Sequence, residues 1–368
     1  MLHTEGCQYY SGGLRKGAGM ELPRRFKQIM GKAFAGQAPT QRECAYLLGF
    51  SADSLEASVL RAVADRLSRN RFDGEVLLLG QVGVETGPCS GNCRFCAFGE
   101  AHTFFETTRR LPREDLHAFA RALARGGDLF ALFLMTTHDF EFKELLSLVD
   151  EARSAIPDAT QIVVNTGDFE AHQAGELLAT GVDGAYHVCR LREGIDTDLE
   201  PEQRTETLAA VRDSNLDLYC CCEPIGPEHT PEELAEQIFL GLEYEPVQHG
   251  AMRRIHVPGS PVADRGQIAE LRLAQVVAVV ALASFSCAET RSIAVHEPNL
   301  LGLTSGANAV FAEMGGNPRD TEMDTSGHLG LDASACRRLL CEAGFTTLRR
   351  GDGETVDIDL NESTVGPA

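Results

Sequence analysis

The rhythm of apolar and polar positions changes once along the chain. From Leu22 to about residue 72 it is that of amphipathic helix, clearest in the Ala-, Leu- and Arg-rich periodicity of Ser54 to Asn70. From Glu75 onward short apolar runs alternate with longer helical stretches. The runs predict strands at 75–84, 129–136, 161–166, 184–191, 216–223, 251–257, 291–296 and 308–313. Segments of helical periodicity such as Arg113–Arg125, Phe142–Ile156, Pro201–Ser214, Pro231–Tyr244 and Ile268–Phe285 lie between them, and Ala333–Ala343 follows the last.

Eight strand-then-helix units in about 270 residues match an α/β (β/α)8 TIM-type barrel, whereas an open doubly wound sheet uses fewer. The expected division is an N-terminal helical extension over 1–72, the barrel over 73–348, and a polar tail over 349–368, rich in Gly, Asp and Glu and expected to fray. Functional side chains of such a barrel belong at strand C-termini and in the loops that follow.

Charge narrows the partners. The chain has 368 residues, 54 of them acidic and 33 basic, for a formal charge of −21. Phosphate backbones are bound by Lys and Arg displacing counterions, so nucleic acid is not an expected partner. The longest apolar stretch, Leu273 to Ala288, is interrupted by Gln275 and followed by Glu289; it is too short and broken for a bilayer span, so a buried helix and no membrane are expected. Residues Glu5, Arg15, Lys16 and Glu21 surround glycines without an apolar core of a secretory signal, which places the protein in the cytoplasm as an expectation. In a reducing compartment, grouped cysteines are more often metal ligands or catalytic groups than disulfides, and the chain has twelve cysteines.

Three of them stand together just beyond the first strand, in Gly87-Pro88-Cys89-Ser90-Gly91-Asn92-Cys93-Arg94-Phe95-Cys96-Ala97-Phe98-Gly99. This C-x3-C-x2-C spacing suits three irons of a [4Fe–4S] cluster and leaves the fourth iron open to a substrate or cofactor. A structural zinc site would want a fourth Cys or His at knuckle spacing, and no second C-x2-C pair exists. A Cys93–Cys96 redox pair would not need the third cysteine.

With Phe95 directly before the third cysteine, the loop resembles the radical S-adenosylmethionine (SAM) superfamily. The resemblance implies that SAM chelates the open iron through its amino and carboxylate groups, and that an electron from a donor such as flavodoxin or ferredoxin cleaves it to a 5′-deoxyadenosyl radical. That radical abstracts hydrogen from a small-molecule or carrier-bound substrate, while the protein positions the reacting atoms and excludes water.

Beyond the loop, residues 80–345 look most like the biotin synthase branch, which includes methylornithine synthase and a hydrogenase maturase. Val257 to Asp264 is similar to its G-T-P-L-A segment and Ser305 to Phe311 to its A-G-A-N-S-I-F segment. By the same resemblance Arg204 is expected to pair with the SAM carboxylate. Thr136 and Thr137 stand where the superfamily often has Gly-Gly-Glu for the methionyl amine. Arg192 and Glu193 resemble a polar pair that serves the SAM ammonium or ribose, and Ile225 falls where adenine packs.

Departures from biotin synthase concern the substrate. Its Asn-His-Asn-Leu-Asp run on strand four is here Tyr186-His187-Val188-Cys189-Arg190. Its second, sacrificial cluster uses cysteines on strands two, three and five and an arginine on strand seven; here Leu134 and Val164 hold the first two places, and only Cys220-Cys221-Cys222 and Arg291 agree. Alternation along a strand puts Cys220 and Cys222 on one face and Cys221 on the other, so at most two of the three aim inward. A possible second iron–sulfur cluster or sulfur-donating site is therefore expected from Cys189 and two of the triplet. Catalytic candidates are Cys189, Cys222, Glu223, His187 and His296. Glu313 is a further carboxylate to account for, and Arg319 a partner for a substrate carboxylate. Sulfur insertion of the biotin or lipoyl synthase kind is the leading expectation. A single-cluster rearrangement or fragmentation comes second, and a non-catalytic iron–sulfur protein or zinc module last.

Overall fold

The computed structural model describes residues 21–360. Eight parallel strands, β1 (Glu75–Gly83), β2 (Leu129–Met135), β3 (Gln161–Asn165), β4 (Gly184–Tyr186), β5 (Asp217–Ile225), β6 (Gln248–Arg253), β7 (Ser292–Val295) and β8 (Ala309–Gly315), pair in sequence order, and β8 returns to β1 to close the barrel. Helices α4 (Arg113–Ala124), α5 (Phe142–Ala155), α6 (Ala171–Ala179), α7 (Pro201–Arg212), α8 (Pro231–Leu242), α9 (Glu270–Ala283) and the short α10 (Leu300–Leu303) connect successive strands, and α11 (Ala333–Glu342) follows β8. The (β/α)8 expectation holds.

Two strand boundaries differ from the periodicity. β4 stops at Tyr186 because the chain turns into a rim loop, with Arg192 in the left-handed region at φ 57°. β6 starts at Gln248, ahead of the predicted residue 251, because its polar first residues have interior partners. Gln248 Nε2 donates to Ser292 Oγ at 3.0 Å, and His249 Nε2 lies 3.1 Å from the Ile238 carbonyl. Helix α6 was not singled out by periodicity.

The N-terminal extension forms α1 (Arg24–Phe34), α2 (Gln41–Leu48) and α3 (Leu55–Arg71). A capping box between Thr40 and Glu43 starts α2, and the Ser54 hydroxyl caps α3. Helices α2 and α3 pack on α9, which explains why α9 is apolar on all sides: every residue from Leu273 to Ala283 is buried between that extension and strands β6 and β7. Gln275, the polar interruption, donates from Nε2 to the carbonyls of Leu47 at 3.0 Å and Phe50 at 3.1 Å. No helix among the described residues is long and apolar enough to cross a membrane.

The tail corrects an expectation. Residues Thr347–Arg349 (β9) and Thr355–Asp357 (β10) form an antiparallel hairpin, and β9 pairs in parallel with Glu75 and Val76 of β1. The Arg349 guanidinium pairs with Glu75, so the segment up to residue 357 is part of the sheet rather than frayed.

Closure between β1 and β8 depends on glycine. Gly83 is in register with Gly315, and the Gly316 N–H donates to the Gly83 carbonyl at 3.1 Å. A Cβ on Gly83 would lie 1.6 Å from the Gly316 carbonyl oxygen, a clash with backbone that no rotamer relieves. Gly83→Ala should therefore cost about 3 kcal/mol or more of stability, at or beyond the usual overpacking range. The measurement is the urea unfolding midpoint, and an unchanged midpoint would contradict this account of barrel closure.

Candidate active site at the C-terminal mouth of the barrel

The cysteine loop lies across the mouth and is pinned from three sides. Cys89 N–H donates to the Phe98 carbonyl at 2.8 Å, closing the loop on itself. Asp139, after β2, takes the Ser90 N–H at 2.6 Å and the Ser90 hydroxyl. The loop after β4 contributes the Asp196 carbonyl to Arg94 N–H at 2.9 Å and the Asp198 carboxylate to Asn92 Nδ2 at 2.8 Å. Pro318, after β8, accepts from Ala97 N–H at 2.8 Å. Phe98, with Phe105 edge-on at 5.4 Å, and Val257 form a small apolar cluster against Cys89 and Cys96. Phe95 is half-buried.

Three thiolates on one loop can each bind a different iron of a [4Fe–4S] cluster. Among the described residues no group of three His, Cys, Asp or Glu side chains is placed to hold a single metal ion. The Phe98 N–H points at Cys96 Sγ, 3.2 Å away, as suits a sulfur carrying negative charge.

Below the loop, two linked charge clusters fill the mouth. In the first, Arg190 Nε lies 3.3 Å from Glu223 Oε1, and the Tyr186 hydroxyl donates to Glu223 Oε2. Glu193 accepts the Arg190 N–H at 2.8 Å and the Thr197 hydroxyl at 2.7 Å, so both of its oxygens are engaged. Arg204 is buried; its Nε and Nη2 donate to the Val188 carbonyl at 3.1 and 2.9 Å, and its Nη1 donates to Asp168 Oδ1 at 2.8 Å. Burial raises the Asp168 carboxyl, but His187 and Arg204 outweigh it and hold the group well below the usual carboxylate range. In the second cluster, on the β8 side, Arg319 pairs with Glu313, whose other oxygen accepts from Asn317 Nδ2 at 2.8 Å. Burial pushes the Glu313 carboxyl up, with Arg319 pulling against it.

His296 joins the two clusters. Its ring stacks on Phe311 at 4.4 Å and meets Tyr186 edge-on at 5.6 Å, and its Nε2 has no hydrogen-bond partner. Burial, with Arg319 nearby, takes its pKa down to about 3. Burial does the same to His187, also to about 3, with Arg204 adding and Asp168 opposing. Phe133 packs edge-on against both Phe311 and Tyr219, at 5.0 and 5.1 Å, and closes the barrel beneath.

Glu223, His187, His296, Glu193 and Arg204 therefore meet at the mouth, but several expected roles change. Arg192 turns outward and pairs with Glu233 of α8 at 2.9 Å, so it does not face the site. Each oxygen of Glu193 already accepts a hydrogen bond from its own rim loop. The Thr136 hydroxyl donates to the Thr137 carbonyl at 2.8 Å and the Thr137 hydroxyl to Glu85, which orients both while their oxygens can still accept. Ile225 is buried, and its carbonyl accepts from Arg254 N–H at 2.8 Å.

The cysteines of β5 face opposite to the expectation. Tyr219 and Glu223 point inward, and Cys221 shares their face beside Tyr186. Cys220 and Cys222 face the helical layer: a Cβ on Gly241 of α8 would lie 2.9 Å from Cys220 Sγ. The catalytic expectation for Cys222 and the Cys189–Cys220–Cys222 ligand set are thus not assembled inside the barrel. Arg291 sits at the opposite, N-terminal mouth, paired with Asp217 at 2.8 Å beside a separate cavity of about 500 Å³. Sequence reasoning missed Asp168, Tyr186 and Arg190 as site residues; Asp168 has no motif, and the other two were read only as departures from a relative's substrate run.

No family model matches the chain. Biotin synthase of Rhizobium rhizogenes strain K84 is 28% identical over 249 residues, covering 62% of this chain and 74% of that enzyme. Methylornithine synthase (PylB) superposes with a TM-score of 0.69 at 15% identity, over 86% of this chain and 96% of the other. The [FeFe]-hydrogenase maturase HydG of Carboxydothermus hydrogenoformans does so at 0.71 and 15% identity, over 88% and 79%. In sequence the chain is similar to biotin synthases, and it shares the barrel fold of methylornithine synthase and HydG. Its C-x3-C-x2-C loop follows the first barrel strand, at the C-terminal mouth.

The buried histidines carry a pH signature. Folded His187 and His296 titrate at about 3 and His249 at about 4, whereas an unfolded histidine titrates near its ordinary 6.5. Below 6.5 the unfolded chain therefore binds protons that the folded chain refuses, so stability present above 6.5 is lost as pH falls toward 4. The expected slope is about 1.4 kcal/mol per pH unit for each ring. Urea unfolding between pH 7 and 5 measures it, and a flat profile would show that these rings accept protons in the folded state.

Proposed function

We propose that the chain is a single-cluster radical SAM enzyme acting on a small polar molecule held at the C-terminal mouth of the barrel. Cys89, Cys93 and Cys96 would hold a [4Fe–4S] cluster, which when bound with SAM supplies reductive cleavage to a 5′-deoxyadenosyl radical, the electron coming from a donor of the flavodoxin or ferredoxin type. The supporting observation is the pinned three-cysteine loop directly above a buried, polar and aromatic-floored mouth.

The chain's own residues provide the surroundings such chemistry needs. The edge-to-face cluster of Phe133, Phe311 and Tyr219 closes the barrel from below and limits water, which a reactive radical requires. Arg190 carries positive charge between Cys93 and Glu223, its field reaching both. Neutral His296, whose Nε2 has no partner, presents a hydrogen-bonding group to a substrate above the aromatic floor, beside Glu223 held by Tyr186 and Arg190. A closed floor favours a small molecule that enters whole.

Sulfur insertion rested on extra cysteines forming a second cluster. With Cys220 and Cys222 turned to the helices and Leu134 and Val164 unable to ligate, that support is withdrawn, and hydrogen abstraction followed by rearrangement or fragmentation of the carbon skeleton fits better. Reconstituted anaerobically, the protein should carry about four irons and matching sulfide per chain; six to eight would restore the two-cluster reading. With SAM and a strong reductant, 5′-deoxyadenosine should form, and Cys93→Ala should abolish it. Cys222→Ser should leave both iron content and cleavage unchanged. Undiminished 5′-deoxyadenosine from Cys93→Ala would sink the proposal.

A further inference from the structure

Three buried polar atoms without a hydrogen-bond partner lie side by side where β3 and β4 end: Asp168 Oδ2 and both ring nitrogens of His187. His187 Nε2 is 3.3 Å from Asp168 Oδ1 but outside hydrogen-bonding geometry, and the ring is almost fully buried, edge-on to Phe169 at 6.2 Å. Folded proteins rarely leave such groups unmet, and where they do the missing partner is often a ligand or water.

The place is next to the cysteine loop. Gly167 packs so closely on residue 138 that a Cβ would lie 2.2 Å from the His138 carbonyl oxygen, and the His138 backbone in turn bears on the Cys89 thiol. Four other carboxylates around the loop have both oxygens engaged: Glu193 by Thr197 and the Arg190 N–H, Glu85 by Thr137 and Arg110, Asp139 by Ser90, and Glu223 by Tyr186 and Arg190. Asp168 alone in this set keeps an oxygen unpaired. Its other oxygen holds Arg204, so a carboxylate and a guanidinium stand side by side, the reverse image of the amino and carboxylate groups of an α-amino acid.

We propose that Asp168, backed by neutral His187, accepts the α-amino group of SAM while Arg204 beside it faces the α-carboxylate. The assignment rests on the radical SAM reading above and gives Asp168 the amine-binding role expected of Glu193. Asp168 Oδ2 accepts an amine N–H, and a neutral imidazole in the second place adds an acceptor without adding positive charge.

The test is SAM binding to the anaerobically reconstituted protein by equilibrium dialysis, with 5′-methylthioadenosine, which has ribose and adenine but no aminoacyl arm, as the second probe. Asp168→Asn turns an acceptor into a donor with little change of shape. It should weaken SAM roughly 10- to 100-fold, with iron content unchanged, and leave methylthioadenosine binding as in the wild type. Asp168→Ser serves where the asparagine variant loads poorly. Equal losses for both probes would assign Asp168 to the ribose, and no loss for either would remove it from the site; each overturns the proposal. In an Arg204→Leu background the Asp168→Asn change should still weaken SAM; if its effect vanishes there, Asp168 only buttresses the guanidinium and the proposal falls. Wild-type protein that binds no SAM would refute the radical SAM reading itself.

Discussion

Charge brought out of water has to be paired, and the mouth of this barrel is organised by that requirement. Arg190, Arg204 and Arg319 are all held at or below the rim, and each is matched by carboxylates on neighbouring strand ends or rim loops. Removing one partner would strand the other in a poorly solvated site; Arg190 ties the loop after β4 to β5, Arg204 ties α7 to the loop after β3, and Arg319 fixes the loop after β8 to its own strand. The cysteine loop rests on the same frame through Asp139, Asp196, Asp198 and Pro318. The three-cysteine loop is thus positioned by hydrogen bonds from the rim loops after β2, β4 and β8.

A second constraint comes from alternation along β5. Tyr219, Cys221 and Glu223 point inward, and Cys220 and Cys222 point to the helices. A shift of one residue would exchange the sets and place two thiols inside, at the expense of burying Tyr219 and Glu223 away from their partners. The aromatic floor and the Tyr186–Glu223 contact therefore decide which sulfurs meet the cavity. This is why a cysteine-rich strand does not by itself imply a second metal centre.

Much of the architecture was legible. The eight apolar runs and the helical segments between them located all eight strands, and the three-cysteine loop carried the resemblance to radical SAM enzymes. Polar residues inside strands were the main source of error, as at Gln248 and His249, whose partners Ser292 and Ile238 lie on other elements. The tail read as frayed because Gly, Asp and Glu carry no apolar rhythm, yet Arg349 pairs with Glu75 across the barrel's N-terminal end. Arg192 and Glu193 looked alike as a polar pair, and only the left-handed turn at Arg192 sends one outward and the other in.

The sequence alone determined what is local: strand and helix periodicity, the caps, and the spacing of three thiols on one loop, because each depends on residues a few positions apart. Tertiary structure alone decided which charges pair, which cysteines face inward, and that Asp168 stands beside Arg204 with an oxygen to spare. Those outcomes depend on strand register and on contacts between rim loops dozens of residues apart, and no short stretch of the chain contains them.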